Sequence, residues 1–185
     1  VFSPDSKLLA FVRFDETAVP SYQMQRYLES PLKQDEMPLY PVFQSFKYPK
    51  PGQPNSKVSV CVYDDFYKSV RTINLGVDDA EFYIPRIKWT KEQDKLAVFV
   101  LNRNQNRLDM IYSHPKSLVS KLILRYEDKY YVDFENIDDV NFSDDGKFFT
   151  FVSERNGWRH AYLYNVNGRL QKQLTLGNFD VTKVY

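Results

Sequence analysis

The sequence predicts an all-β protein: a partial β-propeller of about three blades, each a four-stranded antiparallel meander, with one long extended arm. Three observations predict it. First, one phrase recurs: Phe2-Ser3-Pro4-Asp5-Ser6-Lys7, then Trp89-Thr90-Lys91-Glu92-Gln93-Asp94-Lys95, then Phe142-Ser143-Asp144-Asp145-Gly146-Lys147, each followed by an apolar strand. Trp89 and Phe142 stand about one blade apart, whereas the interval from Phe2 to Trp89 is long enough for a blade plus an insertion. Second, short apolar runs alternate with turn dipeptides such as Asn156-Gly157 and Asn167-Gly168, which favour tight reversals. Third, aromatic residues make up 16% of the chain, a composition suited to pleated strands, and helical periodicity is weak throughout.

Taken in order, residues 1–75 read as a blade into which an arm, residues 20–55, is inserted. Residues 8–14 form a strand, and regular patterning does not return until Val58. The intervening stretch carries Tyr22, Tyr27, Tyr40, Phe43, Phe46 and Tyr48 among seven prolines. Disordered segments are poor in aromatics, so this one is expected to extend and pack against something; a short helical turn is expected near residues 21–28. Residues 76–134 read as the second blade. Residues 82–89 lead in, residues 95–101 and 107–112 form a hairpin across the Asn102–Asn106 turn, and residues 120–126 and 130–133 complete four strands. Residues 135–178 read as the third blade, with strands at 147–153, 158–164 and 169–175. Residues 179–185 read as the start of another blade. Three blades are fewer than a closed ring needs, so the chain is expected to be part of a larger propeller.

Composition excludes several functions. With 25 basic and 24 acidic residues the net charge is +1, which gives no electrostatic footprint for nucleic acid or an anionic membrane. No apolar run approaches the length of a membrane span. Cys61 is the single cysteine; it lies in an alternating strand pattern and reads as a buried, inert thiol. None of the six glycines brackets a serine as a nucleophile elbow requires. His114 and His160 are the two histidines, too few and too scattered for a triad or a metal cluster. The acidic pairs Asp64-Asp65, Asp78-Asp79, Asp138-Asp139 and Asp144-Asp145 read as turn residues bonding local backbone. Arg155 and Arg159 sit at hairpin ends, facing either a propeller channel or solvent. No residue of this chain is assigned a catalytic, cofactor-binding or metal-binding role.

The chain resembles the propeller domain of the dipeptidyl peptidase IV group in the prolyl oligopeptidase family of serine peptidases. The phrases that carry the resemblance are Phe2-Ser3-Pro4-Asp5 with residues 13–20, residues 48–55, residues 101–109, residues 153–164 and residues 173–182. Their order and spacing span the chain, and the absence of further cysteines resembles bacterial rather than mammalian members. The resemblance implies an eight-bladed propeller stacked on an α/β-hydrolase domain that removes Xaa-Pro or Xaa-Ala dipeptides from peptide N-termini. The segment would wall the substrate chamber. The family's amine-binding glutamate pair precedes the strand equivalent to residues 2–12, so Asp15-Glu16 does not inherit that role; the triad belongs to the hydrolase domain. The family's arm contributes to a homodimer interface, which makes Tyr22, Tyr27, Tyr40, Pro41, Tyr48 and Pro49 the expected partner contacts. A periplasmic or cell-envelope location is likewise an expectation of the resemblance. The repeat phrase also occurs in TolB-like and WD40-like propellers that serve only as binding scaffolds, which is the alternative reading.

Overall fold

The computed structural model describes residues 1–27 and 40–185. Among the described residues there are twelve strands: β1 (Leu8–Asp15), β2 (Ser21–Arg26), β3 (Val42–Lys47), β4 (Lys57–Asp64), β5 (Ser69–Thr72), β6 (Phe82–Trp89), β7 (Leu96–Asn102), β8 (Arg107–Ser113), β9 (Ser120–Glu127), β10 (Phe148–Ser153), β11 (His160–Asn165) and β12 (Leu170–Gln173). A 3-10 turn, Phe134–Ile137, interrupts them. The strands form sheets β1-β4-β5, β6-β7-β8-β9 and β10-β11-β12, plus a separate two-stranded ribbon β2-β3. Two compact units result: residues 1–13 with 58–185, and Phe14–Lys57. The first unit is a partial propeller of three successive antiparallel meanders.

The recurring phrase builds the same turn at its first and third copies. Ser3 Oγ donates to Asp5 Oδ1 at 2.6 Å and accepts from Leu8 N at 3.0 Å. Ser143 Oγ does the same with Asp145 and Phe148, at 2.6 and 3.0 Å. The residue before each lysine has positive φ, Ser6 at 58° and Gly146 at 68°, a conformation glycine adopts freely and serine tolerates less well. Phe2 and Phe142 each bridge to one residue of the strand that follows, Leu9 and Phe149. In the middle blade the same position, Trp89, ends a complete strand. Thr90 Oγ1 there accepts from Glu92 N at 3.1 Å, within a turn longer by one residue.

Strand β7 holds the meanders together. Its first six residues are buried on both faces, as a central strand between packed sheets requires. Ala97, Phe99 and Leu101 join a core with Phe149, Phe151, Tyr162 and Tyr164 of β10 and β11. Leu96, Val98 and Val100 join a second core with Leu8, Ala10, Val60 and Val62 of β1 and β4. The period of two along β7 thus directs alternate side chains to the two neighbouring blades.

Three expectations are corrected. Residues 21–28 hold no helical turn: Ser21–Arg26 is a strand, and Leu28 lies outside the described residues. The fourth strand of the middle blade is Phe82–Trp89, not residues 130–133. Pro85 cannot donate to a ladder, and the sheet accommodates it with a register shift between Tyr83 and Arg86 on an edge strand. Residues 130–133 instead run along the β7–β8 turn, with Val132 N donating to Gln105 O at 2.7 Å. The return strand of the third blade starts at His160 rather than Trp158, because Arg159 N donates to Asp180 Oδ1 at 2.7 Å and so leaves the ladder.

Candidate functional site

The unit Phe14–Lys57 carries the surface that fold formation leaves unexplained. Its ribbon pairs Tyr22 with Phe46, Met24 with Gln44 and Arg26 with Val42. Residues directly opposite in an antiparallel pair share a face, so Tyr22, Met24, Phe46 and Val42 gather on one side. Gln23, Gln25, Ser45 and Lys47 fall on the other, with Phe43 the apolar exception. Tyr22, Phe46 and Tyr48 form a mutually contacting aromatic trio, with centroids 5.9, 5.9 and 6.0 Å apart. Lys50 Nζ sits 5.1 Å from the centre of the Tyr22 ring, within cation–π range. The base of the ribbon is pinned by Tyr48 N to Pro20 O at 3.0 Å and by Lys47 Nζ to Val19 O at 2.8 Å.

This face stays open to solvent. Tyr22 is 39% exposed, Met24 51% and Tyr48 52%. A two-stranded ribbon is at best marginally stable alone, and a contiguous exposed apolar face marks an interaction surface. The structure brings Tyr22 and Tyr48 together at one end of the ribbon, with Pro49 half-buried beside them. It places Tyr27, Tyr40 and Pro41 at the other end, next to residues 28–39, which lie outside the described residues. Sequence reasoning passed over Met24, Val42 and Phe46 as contacts. Their signal was the period-two spacing of Tyr22 and Met24, and of Phe46 and Tyr48, which reads as one face of a strand pair.

The remaining chemistry-bearing residues are committed to structure. His160 is buried, its Nδ1 3.0 Å from Thr175 Oγ1 and its Nε2 3.0 Å from Gly177 O. His114 Nδ1 accepts from Lys116 N and Ser117 N at 3.2 and 3.0 Å, closing a turn. Cys61 is buried beside Thr72. Asp64 is buried, accepting from Phe66 N, Tyr67 N and Arg71. Asp79 pairs with Arg107, Asp138 with Arg86, Asp139 with Arg159 and Asp144 with Lys91. Asn141 donates its side-chain amide to Asp139 O and Val184 O. Lys88 Nζ donates to the carbonyls of Ile137 and Asp138 at 2.8 and 2.9 Å; burial lowers its pKa. Among the described residues no cluster of His, Cys, Asp or Glu is placed to hold a metal ion. None of their helices is long and apolar enough to cross a membrane.

Comparison with known proteins gives these features a family context. A sequence from Aspergillus clavatus named probable dipeptidyl peptidase 4 is 29% identical over 99% of this chain and 24% of its own length. The dipeptidyl peptidase 4 of Trichophyton equinum is 30% identical over the same share of this chain. The chain therefore spans about a quarter of the length of the relatives it matches, 24% in both cases. Among solved structures, the crystal structure of Porphyromonas gingivalis dipeptidyl peptidase 4 is 46% identical, with a TM-score of 0.86 over 98% of this chain and 24% of that one. The family description "Dipeptidyl peptidase IV (DPP IV) N-terminal region" matches residues 1–185, and the chain belongs to that family.

Proposed function

We propose that this chain is a non-catalytic propeller segment of a serine exopeptidase that removes Xaa-Pro or Xaa-Ala dipeptides from free peptide N-termini. In that protein it walls the substrate chamber, while the ribbon of β2 and β3 docks against a second copy of the protein. The chamber reading rests on one observation: the family match runs through every blade from residue 1 to 185. The docking reading rests on the open Tyr22, Met24 and Tyr48 face. Large rigid aromatics are the usual energetic anchors of interfaces, and the second copy's equivalent face would supply matching apolar surface. A periplasmic or cell-envelope location belongs to the same proposal and follows from the resemblance.

The test is hydrolysis of an Xaa-Pro chromogenic dipeptide by the full-length protein, beside an N-blocked version of the same substrate. Cleavage of the free-amine substrate alone is expected. Cleavage of both would identify an endopeptidase relative. Cleavage of neither would make the propeller a binding scaffold.

A further inference from the structure

Arg155 lies in the turn between β10 and β11, and its surroundings differ from those of the neighbouring arginines. Arg86, Arg103, Arg107, Arg125 and Arg159, in the same two blades, each meet a carboxylate. Arg155 meets none among the described residues, nor does Arg169 in the same blade, but Arg155 alone of the two sits against aromatic rings. It is nevertheless held in place. Its Nε donates to Ser153 Oγ at 2.7 Å. Its guanidinium carbon lies 4.3 Å from the centre of the Tyr162 ring, and 5.7 and 5.9 Å from those of Tyr126 and Tyr164. Aromatic faces attract and orient a guanidinium without neutralising it.

A second observation lies beneath it. Tyr162 is 2% exposed, and its hydroxyl has no hydrogen-bond partner among the described residues. A buried hydroxyl without a partner carries a desolvation cost that native proteins rarely leave in place. The turn is anchored beside the connection between the second and third blades, since Arg159 Nε donates to Asn136 Oδ1 at 2.7 Å. The site therefore combines an oriented, unneutralised guanidinium fork with a buried ring beneath it whose hydroxyl has no partner among the described residues.

We propose that Arg155 recognises a carboxylate on a peptide held against this end of the propeller. The four remaining N–H groups of Arg155 suit a two-pronged hydrogen bond to a planar carboxylate. The inference rests on the peptidase reading above for its peptide. The carboxylate comes either from an acidic side chain downstream of the cleaved bond or from the peptide's own C-terminus.

The experiment uses the full-length protein and peptides beginning Gly-Pro, with Glu or Gln at each of the third to sixth positions, and with a free-acid or amidated C-terminus. The readout is the ratio of kcat/KM for acidic over neutral peptide within each variant. The wild type is expected to favour the acidic member of one pair by roughly tenfold, the scale of one hydrogen bond to a charged group. Arg155→Met, which keeps an apolar stem over Tyr162, is expected to bring that ratio to about one. Arg155→Lys, which keeps the charge and loses the fork, is expected to fall between. A Glu-specific effect identifies a side-chain carboxylate; an acid-versus-amide effect identifies the C-terminus. Equal ratios in the wild type and Arg155→Met across every pair would overturn the proposal. Arg155→Gln repeats the test should Met disturb the turn. Failure of the wild type to cleave a Gly-Pro chromogenic substrate would instead sink the peptidase reading. Calorimetric titration of the uncut acidic and neutral peptides into wild type and Arg155→Met then decides the carboxylate site alone: acid-selective binding lost in the variant supports it, and equal binding refutes it.

Discussion

Arg159 Nη2 and Asp139 Oδ2 meet at 2.6 Å with both side chains largely out of solvent, joining the β10–β11 turn to the segment that leads into the third blade. Arg159 also donates to Asn136 Oδ1 and to Val181 O. The guanidinium thus ties three segments distant in sequence, adding the Val181 segment to Ile137 and Val140, which already share a core with β10 and β11. Breaking a buried pair leaves the surviving charge uncompensated. Arg159→Met is expected to destabilise the fold by about 3–5 kcal/mol in urea unfolding. Adding Asp139→Leu to it is expected to recover part of that loss. A single variant within about 0.5 kcal/mol of wild type would show that the pair is not effectively buried.

The aromatic trio on the ribbon makes a separate prediction about assembly. Tyr48→Ala removes a ring that touches both Tyr22 and Phe46. In the full-length protein it is expected to weaken dimerisation by at least about tenfold, the loss typical of an interface anchor. Sedimentation across a dilution series measures this, with the protomer melting temperature as the control. Unchanged dissociation would remove the ribbon from the interface.

Glycine chemistry separates the two Asn-Gly turns. At Gly168, φ is +83°, and an added Cβ would fall 1.8 Å from the Ile123 carbonyl oxygen of β9 in the preceding blade. At Gly157, φ is +86°, and nothing lies within 4 Å of the added atom. Gly157→Ala is expected to cost about 1 kcal/mol, the left-handed backbone penalty alone. Gly168→Ala adds a backbone collision between two blades and is expected to cost about 3 kcal/mol. Equal midpoints in a denaturant titration would contradict the close approach.

Asp138 and Arg86 give the pH dependence. Arg86 Nε and Nη2 donate to the two carboxylate oxygens at 2.7 and 3.0 Å. These bonds hold the Asp138 carboxyl below its ordinary value, against an opposing effect of burial. A depressed folded pKa contributes stability that is present above the unfolded value, about 3.9, and is lost as pH falls through the folded one. The two side chains are 42% and 50% exposed, so solvent screening limits the pair to at most about 1 kcal/mol. Asp138→Asn is therefore expected to melt slightly below wild type at neutral pH, with the difference closing on acidification below about pH 4. A difference that grew on acidification would reverse the assignment.

Much of this architecture was legible in the sequence because its signals are local. The Ser-to-Asp hydrogen bonds of both Ser3 and Ser143 are made within two residues, so the repeated phrase encodes them directly. Strand β7 announced itself through an uninterrupted apolar run, as a strand buried on both faces should. Strand β6 was obscured by Pro85, whose missing donor is tolerated only because the sheet places it at an edge with a register shift. The ribbon was obscured because its residues outnumber any single pattern until Tyr22 is paired with Phe46.

The sequence by itself determined the strand class, the turn chemistry and the number of meanders, since these depend on period and on neighbours a few positions away. Tertiary structure alone decided which faces meet solvent and which charges meet partners. Arg159 and Arg155 are four residues apart in one turn, yet the first is neutralised by Asp139, twenty positions away in the chain, while the second rests on the Tyr162 ring. Nothing in their local sequence separates them. The difference arises from which distant segment the fold carries past each guanidinium, because Coulombic and hydrogen-bonding partners are selected by distance in space.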